Sequence, residues 1–386
     1  MSRLKKRLVN LAAGIENNFD VLALQLRKRL NADDPLQIVP YRSYGTVNRL
    51  YVKGRVLKDK GIRKATGKDT LLNNLLSMYK RFESDEVPHA RLKIDFQERS
   101  HFVTTDLEGY FTLNLFTEVP VTWTDMWHEV RLELLEAPFP FSGKIKSTAH
   151  VLVPPADAEY GIISDIDDTV VKTTAANLLA MSRNTFFHNA HSRLPFAGVS
   201  EFYRSLQLGR NGKRNNPFFY VSSSPWNLYD LLIDFLDIND IPEGPLLLRD
   251  FGLEANKESA DHMGHKFKEI KNILQAYPHL NFVLIGDSGQ EDPAIYREIV
   301  SKFPGRILAI YIRDVQLSDR EKIAIDISKQ LSSDKVEMVI VDNTVEAAGH
   351  AAKTGLIFTG EIPKIELDKK QDKGEVPGKE EIDPVS

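Results

Sequence analysis

Leu4, Leu8, Leu11, Ile15, Phe19, Leu22, Leu26 and Leu30 recur at spacings of three and four. That is the period of an α-helix with one apolar face, and it predicts a helix over residues 4–30. Asp33-Asp34-Pro35 ends it, because a proline ring cannot continue the turn. From residue 36 to about 155 the period falls to two. Leu50–Val56, Leu92–Phe96, Tyr110–Leu113, Val130–Leu134 and Ile145–Val153 read as strands, with Asp106-Leu107-Glu108-Gly109 as a turn before Tyr110. Short alternating strands between turns predict a β-sandwich-like domain over 36–155, interrupted by a helical patch at Leu71–Phe82.

Beyond residue 156, apolar runs of four to six residues alternate with helical segments. Gly161–Ser164, Phe218–Val221, Phe282–Ile285, Ile307–Ile312 and Val336–Val341 are predicted strands, with Lys266–Ala276 and Pro293–Lys302 among the helices between them. Strands apolar on both faces belong to a parallel sheet covered by helices on each side. Residues 156–360 are therefore predicted to be α/β. Residues 361–386, rich in Lys, Glu, Asp, Gly and Pro, are predicted to be a disordered tail. Two domains also follow from length, since 386 residues exceed the roughly 250–300 at which a single core stops growing.

Composition removes several kinds of chemistry. The chain has no cysteine, which excludes disulfides, Cys-ligated zinc or iron–sulfur sites and thiol nucleophiles. A net charge of −4 leaves no global basic field, so no nucleic-acid partner is expected. Residues 1–30 are locally basic, with Arg3, Lys5, Lys6, Arg7, Arg27, Lys28 and Arg29 against Glu16 and Asp20. That helix either docks on a neighbouring domain or a partner, or lies on a membrane surface with its cations facing anionic headgroups. No apolar run reaches the ~18–20 residues of a membrane span. Asn10, Glu16 and Asp20 also break any signal-peptide pattern. The expectation is a soluble cytoplasmic protein, with membrane contact through residues 1–30 as the alternative.

In a parallel α/β sheet, ligands bind beyond the carboxyl ends of the strands. Asp165-Ile166-Asp167-Asp168-Thr169, Ser222-Ser223-Ser224-Pro225-Trp226 and Gly286-Asp287-Ser288-Gly289-Gln290-Glu291-Asp292 stand at three such ends. Several carboxylates cannot stay ionised side by side without a compensating cation. With oxygen ligands only, the choice falls on Mg2+, held by Asp165, Asp167, Asp287 and Asp292. Lys266 supplies the remaining positive charge. These parts describe phosphoryl transfer through a covalent intermediate, with Asp165 as nucleophile and Asp167 as acid and then base. Ser222 would hold a phosphoryl oxygen.

Asp165-x-Asp167-x-Thr169, strand-terminal Ser222, Lys266 and Asp287-x4-Asp292 resemble the four ordered motifs of the haloacid dehalogenase-like phosphatases. Further motifs narrow the resemblance. Ser164 to Val170, Arg193-x-Pro195-Phe196-x-Gly198-Val199, Val221-Ser222-x-Ser224-Pro225-Trp226, Gly244 to Asp250 and Ile285 to Pro293 are similar to the catalytic domain of the actin-patch type of phosphatidate phosphatase, over about residues 156–350. The resemblance implies a Rossmann-like three-layer sheet and Mg2+-dependent hydrolysis of phosphatidate to diacylglycerol. Lys172-Thr173-Thr174 departs from it, standing where a Thr-His pair is expected.

About 50 residues separate the first motif from Ser222 and about 40 separate Trp226 from Lys266, too few for a large cap domain. An open site suits a headgroup presented at a surface. Leu178, Leu179, Met181, Phe186 and Phe187 either pack on the sheet or form an apolar lip beside that site. Thr169, Arg249 and Trp226 are the candidate substrate contacts. Arg249, like Arg313, could instead pair with a neighbouring aspartate. Trp226 could instead hold its own turn. His188 and His191 read as surface or packing residues rather than metal ligands. The chain is thus expected to be a Mg2+-dependent phosphatidate phosphatase, working through an aspartyl-phosphate. The alternatives are the same chemistry on a sugar, nucleotide, nucleic-acid-end or protein phosphate, and a non-catalytic membrane or protein adaptor.

Overall fold

The computed structural model describes residues 35–59, 86–96, 99–117, 125–167, 169–170, 197–249, 262–315, 318–331 and 336–376. The predicted helix 4–30, the patch Leu71–Phe82, the apolar segment Leu178–Phe187, His188, His191 and Lys172-Thr173-Thr174 lie outside the described residues.

Eight strands make the first sheet: β1 (Leu36–Pro40), β2 (Ser43–Thr46), β3 (Arg49–Lys58), β4 (Arg91–Phe96), β5 (Arg99–Thr104), β6 (Tyr110–Phe116), β7 (Trp127–Glu136) and β8 (Lys146–Leu152). They run in the order β1-β3-β2-β8-β7-β4-β5, with β6 on β3. All pairs are antiparallel except β2 with β8. Period-two alternation does here what it predicts. Leu50, Val52 and Val56 of β3, Leu92 and Ile94 of β4, Val130 and Leu132 of β7 and Ala149 and Val151 of β8 are all buried in one cluster. Strands far apart in the sheet order therefore share one interior, as in a sandwich.

The second sheet is parallel. Its strands are β9 (Gly161–Ser164), β10 (Phe218–Pro225), β11 (Leu246–Arg249), β12 (Phe282–Asp287), β13 (Ile307–Arg313) and β14 (Glu337–Val341), in the order β11-β10-β9-β12-β13-β14. Alternate residues of each strand go to opposite faces. Ile162, Tyr220, Val283 and Tyr311 join one core, and Ile163, Phe219, Leu284 and Ile310 join the other. The first core takes the apolar faces of α1 (Val199–Leu208), α2 (Tyr229–Ile238) and α6 (Thr344–Lys353). The second takes those of α3 (His262–Ala276), α4 (Asp292–Lys302) and α5 (Ser318–Leu331). Three layers result, as continuous apolar strands require. The strand order reverses between β9 and β12, which opens a crevice at their carboxyl ends.

One expectation fails. Within the stretch predicted to be disordered, α7 spans Ile362–Asp372. Its single deeply buried side chain is Ile365. Its acidic residues serve a neighbour: Asp372 accepts from Gly198 N at 2.7 Å and Asp368 from Glu201 N at 3.1 Å. Two carboxylates thus satisfy backbone donors at the start of α1, which carries no side-chain cap of its own. Composition hides such a helix because its partner is distant in sequence.

Candidate active site

The crevice is lined by the segments that the motifs single out. Asp165 follows β9 directly, Ser222 and Ser224 lie in the last residues of β10, and Asp287 ends β12. Asp165 N–H donates to Ile285 O at 2.9 Å, so the parallel ladder extends past β9 and seats the carboxyl beside β12. Lys266 is the fifth residue of α3 and Asp292 the first of α4.

Asp165, Asp167, Thr169, Ser222, Lys266, Asp287 and Asp292 are all buried. Lys266 Nζ stands 2.8 Å from Asp165 Oδ1 and 2.7 Å from Asp292 Oδ1, and reaches Gln290 Oε1 at 3.3 Å. Asp287 Oδ1 accepts from Gly289 N at 2.7 Å and Gln290 N at 2.9 Å, while Asp287 N donates to Asp292 Oδ2 at 3.2 Å. Gly286 makes that last approach possible. A Cβ on it would lie 2.4 Å from Asp292 Oδ2.

Burial pushes the Asp165 carboxyl well above the usual range. Lys266 opposes the rise, and Asp292, Asp167 and Asp287 add to it. For Lys266 burial works toward neutrality, but Asp165 and Asp292 outweigh it and hold the ammonium charged. Four carboxylates against one ammonium leave the cluster negative. Asp165, Asp287 and Asp292 each offer an oxygen within 4.8 Å of the others, all buried. Oxygen donors only, an excess of negative charge and an enclosing wall fit a hard divalent cation.

The Asp167 carboxyl lies outside that trio and takes two hydroxyls. Ser222 Oγ donates at 2.6 Å and Ser224 Oγ at 3.0 Å. Ser224 N–H in turn donates to Ser222 Oγ at 2.9 Å. Ser222 Oγ is thus engaged on the Asp167 carboxyl. Thr169 Oγ1 donates to Asp165 Oδ2 at 3.3 Å, which places it on the carboxylate rather than facing outward. Trp226 is only 6% exposed and stacks on Tyr41 of the first sheet's domain, ring centroids 4.6 Å apart and planes within 12°. Its ring packs between domains, which favours turn-holding over a substrate contact. Arg249 is buried at the end of β11, in register with Pro225 of β10.

Ser224 and Gln290 also contribute, although motif spacing alone assigns neither a role. Ser224 is the second hydroxyl on Asp167, and Gln290 donates Nε2–H to Asp167 O at 3.2 Å while accepting from Lys266. Their polarity at a strand end was the available signal. A third, Tyr41, lies more than 120 residues before Asp165 and carries no local signal.

The catalytic domain of phosphatidate phosphatase APP1, as a family, matches residues 160–314. The chain is 31% identical over 244 residues to phosphatidate phosphatase APP1 of Saccharomyces cerevisiae, a match covering 60% of this chain and 39% of that protein. It is 29% identical over 215 residues to an uncharacterised protein of Schizosaccharomyces pombe, covering 55% of this chain and 34% of that one. The chain thus spans well under half the length of the curated relatives it matches. A carbohydrate acetylesterase from Xanthomonas citri superposes with a TM-score of 0.33 at 11% identity, over 83% of this chain and 74% of that one, a likeness too slight to bear on fold or chemistry. Asp165, Ser222, Lys266, Asp287 and Asp292 all fall within the matched span. Over residues 160–314 this chain is therefore similar to the catalytic domain of the phosphatidate phosphatase APP1 family.

Proposed function

We propose that the chain is a Mg2+-dependent phosphatidate phosphatase of haloacid dehalogenase-like mechanism, hydrolysing phosphatidate to diacylglycerol and phosphate. One observation carries the reading: a buried lysine bridges two aspartates, one following β9 and one opening α4, with a third carboxylate at the end of β12. That arrangement concentrates charge of both signs where a phosphoryl group would enter.

Asp165 would attack phosphorus, forming the aspartyl–phosphate bond as the ester P–O bond breaks. Asp167 would give its proton to the leaving diacylglycerol oxygen, then take a proton from the water that hydrolyses the aspartyl-phosphate. In the resting arrangement both Asp167 oxygens are engaged by Ser222 and Ser224, so proton transfer requires one serine bond to be exchanged for the reacting oxygen. Lys266 would keep its charge beside the entering phosphoryl oxygens, as Asp165 and Asp292 hold it ammonium. A bound Mg2+, held by Asp165, Asp287 and Asp292, would offset the repulsion between anionic nucleophile and anionic substrate.

The test is phosphate release from phosphatidate in mixed micelles, with and without Mg2+, comparing wild type with Asp165→Asn. Mg2+-dependent turnover abolished by the substitution is the expected result. Turnover of a soluble aryl phosphate but not of phosphatidate would retain the mechanism and overturn the lipid substrate. Vesicle binding with no turnover of either would overturn both in favour of an adaptor.

A further inference from the structure

The β-rich domain sits directly on the segment that holds Asp167. Tyr41, in the link between β1 and β2, is 4% exposed. Its ring stacks on Trp226 and lies 4.2 Å, centroid to centroid, from Tyr229. Lys53 Nζ of β3 stands 4.4 Å from the centre of the Trp226 ring. Arg42 N–H donates to Tyr229 Oη at 2.5 Å, and the Arg42 guanidinium pairs with Asp237 of α2 at 2.8 Å. Tyr41 is itself fixed within its own domain: its N–H donates to Lys53 O at 2.9 Å, and its carbonyl accepts from Ser43 Oγ at 2.8 Å. Ser43 Oγ also accepts from Lys53 N at 3.2 Å.

Trp226 is two residues beyond Ser224, with Pro225 between them. A contiguous path therefore runs from the β3 backbone through Tyr41 and Trp226 to Ser224, Ser222 and the Asp167 carboxyl. A proline next to the tryptophan leaves that link little freedom, because its ring fixes φ. An acid/base carboxyl must be held within tenths of an ångström of its working position.

We propose that Tyr41 and Lys53 of the β-rich domain are positioning residues for the reaction, setting the orientation of Asp167 through Trp226 and the Ser222–Ser224 pair. This rests on the phosphatase reading above. It assigns the first domain a role in the chemistry rather than only in stability.

Leaving-group dependence separates the two roles. A p-nitrophenolate departs without a proton, whereas a phenolate needs one, and kcat/KM reports the step in which it leaves. The full chain with Mg2+ is assayed on phenyl phosphate and p-nitrophenyl phosphate. Tyr41→Ala is expected to lower kcat/KM about tenfold on phenyl phosphate and less than about twofold on p-nitrophenyl phosphate. Tyr41→Phe, which keeps the ring, should restore the wild-type ratio, and Lys53→Met should give a smaller change of the same kind. Added to Ser224→Ala, Tyr41→Ala should cost less than about twofold more, because both act on one carboxyl.

Equal losses on both substrates, or full additivity with Ser224→Ala, would overturn the proposal. So would an unchanged ratio in a folded Tyr41→Ala protein. Should that variant fail to fold, Lys53→Met decides through the same ratio and the same cycle. If the wild type hydrolyses no phosphomonoester, the phosphatase reading fails by itself and the positioning role for Tyr41 and Lys53 falls with it, an outcome distinct from wild-type turnover whose leaving-group ratio Tyr41→Ala leaves unchanged.

Discussion

His265 precedes the bridging lysine and shows how much of this site's character comes from burial. Its ring is 8% exposed and hydrogen-bonds the Leu247 main chain, while Nε2 has no hydrogen-bond partner. Burial first, then Arg249, Lys53 and Lys268, push its pKa down from the ordinary 6.5 to about 4, against the Leu247 bond that favours the charged form. The folded chain thus keeps a neutral imidazole where the unfolded chain would take a proton. Stability from this group is fully present above about pH 6.5 and is lost as the pH falls through that window toward 4. The loss amounts to at most about 3 kcal/mol. Urea unfolding at pH 7 and pH 4.5 checks it: His265→Gln should show a smaller drop between the two than wild type. An equal drop would place the acid sensitivity elsewhere.

Single elements explain why some of this architecture was readable in the chain and some was not. The strand that Asp165 follows and the strand that Asp287 ends announce themselves as apolar runs closed by carboxylates, so both position and chemistry are legible. β11 has the same apolar character, Leu246–Arg249, yet so short a run shows no period of its own and stands out only as part of a motif. α7 was missed for the opposite reason: its sequence is polar, and long-range caps on α1 accompany it. The turn of Asp167 away from the carboxylate trio was also hidden, since Asp-x-Asp spacing does not say which hydroxyls lie opposite. The β12–α4 junction gives an element-level test. Its geometry depends on Gly286, because Asp292 folds back under the strand and fills the space a Cβ would take, with Asp292 Cβ 2.9 Å from that point. Gly286→Ala should displace Asp292, break its bond to Lys266 and lower phosphate release by at least about tenfold. Overpacking of this kind also costs about 1–3 kcal/mol of stability. Wild-type turnover in the variant would show that Asp292 can move without cost to Lys266.

At the scale of the whole molecule, the two sheets are joined by aromatic rings rather than by a linker alone. Tyr44 of β2 is 3% exposed and lies against Phe219 of β10 and Tyr277 after α3, with centroids at 6.0 and 6.3 Å. Tyr277 Oη donates to Gly45 O at 2.9 Å, so the first domain's backbone is hydrogen-bonded to the second domain's core. Tyr41, Tyr44 and Leu152 belong to the apolar clusters of the parallel sheet rather than to that of their own. A hydrophobic interface of that kind opposes the relative motion usual between domains. It also predicts that the two domains unfold together. In Tyr44→Ala the lost ring leaves a cavity against Phe219 and Tyr277, for which large-to-small core changes cost about 3–5 kcal/mol. Scanning calorimetry of wild type should show one transition. The variant should show a lower midpoint and, with the coupling weakened, two partly separated transitions, the first belonging to the β-rich domain. Two transitions already present in wild type would mean that the rings touch without coupling the domains. A shifted but single transition in the variant would assign the coupling to Tyr41, Arg42 and their partners on the other side of the sheet.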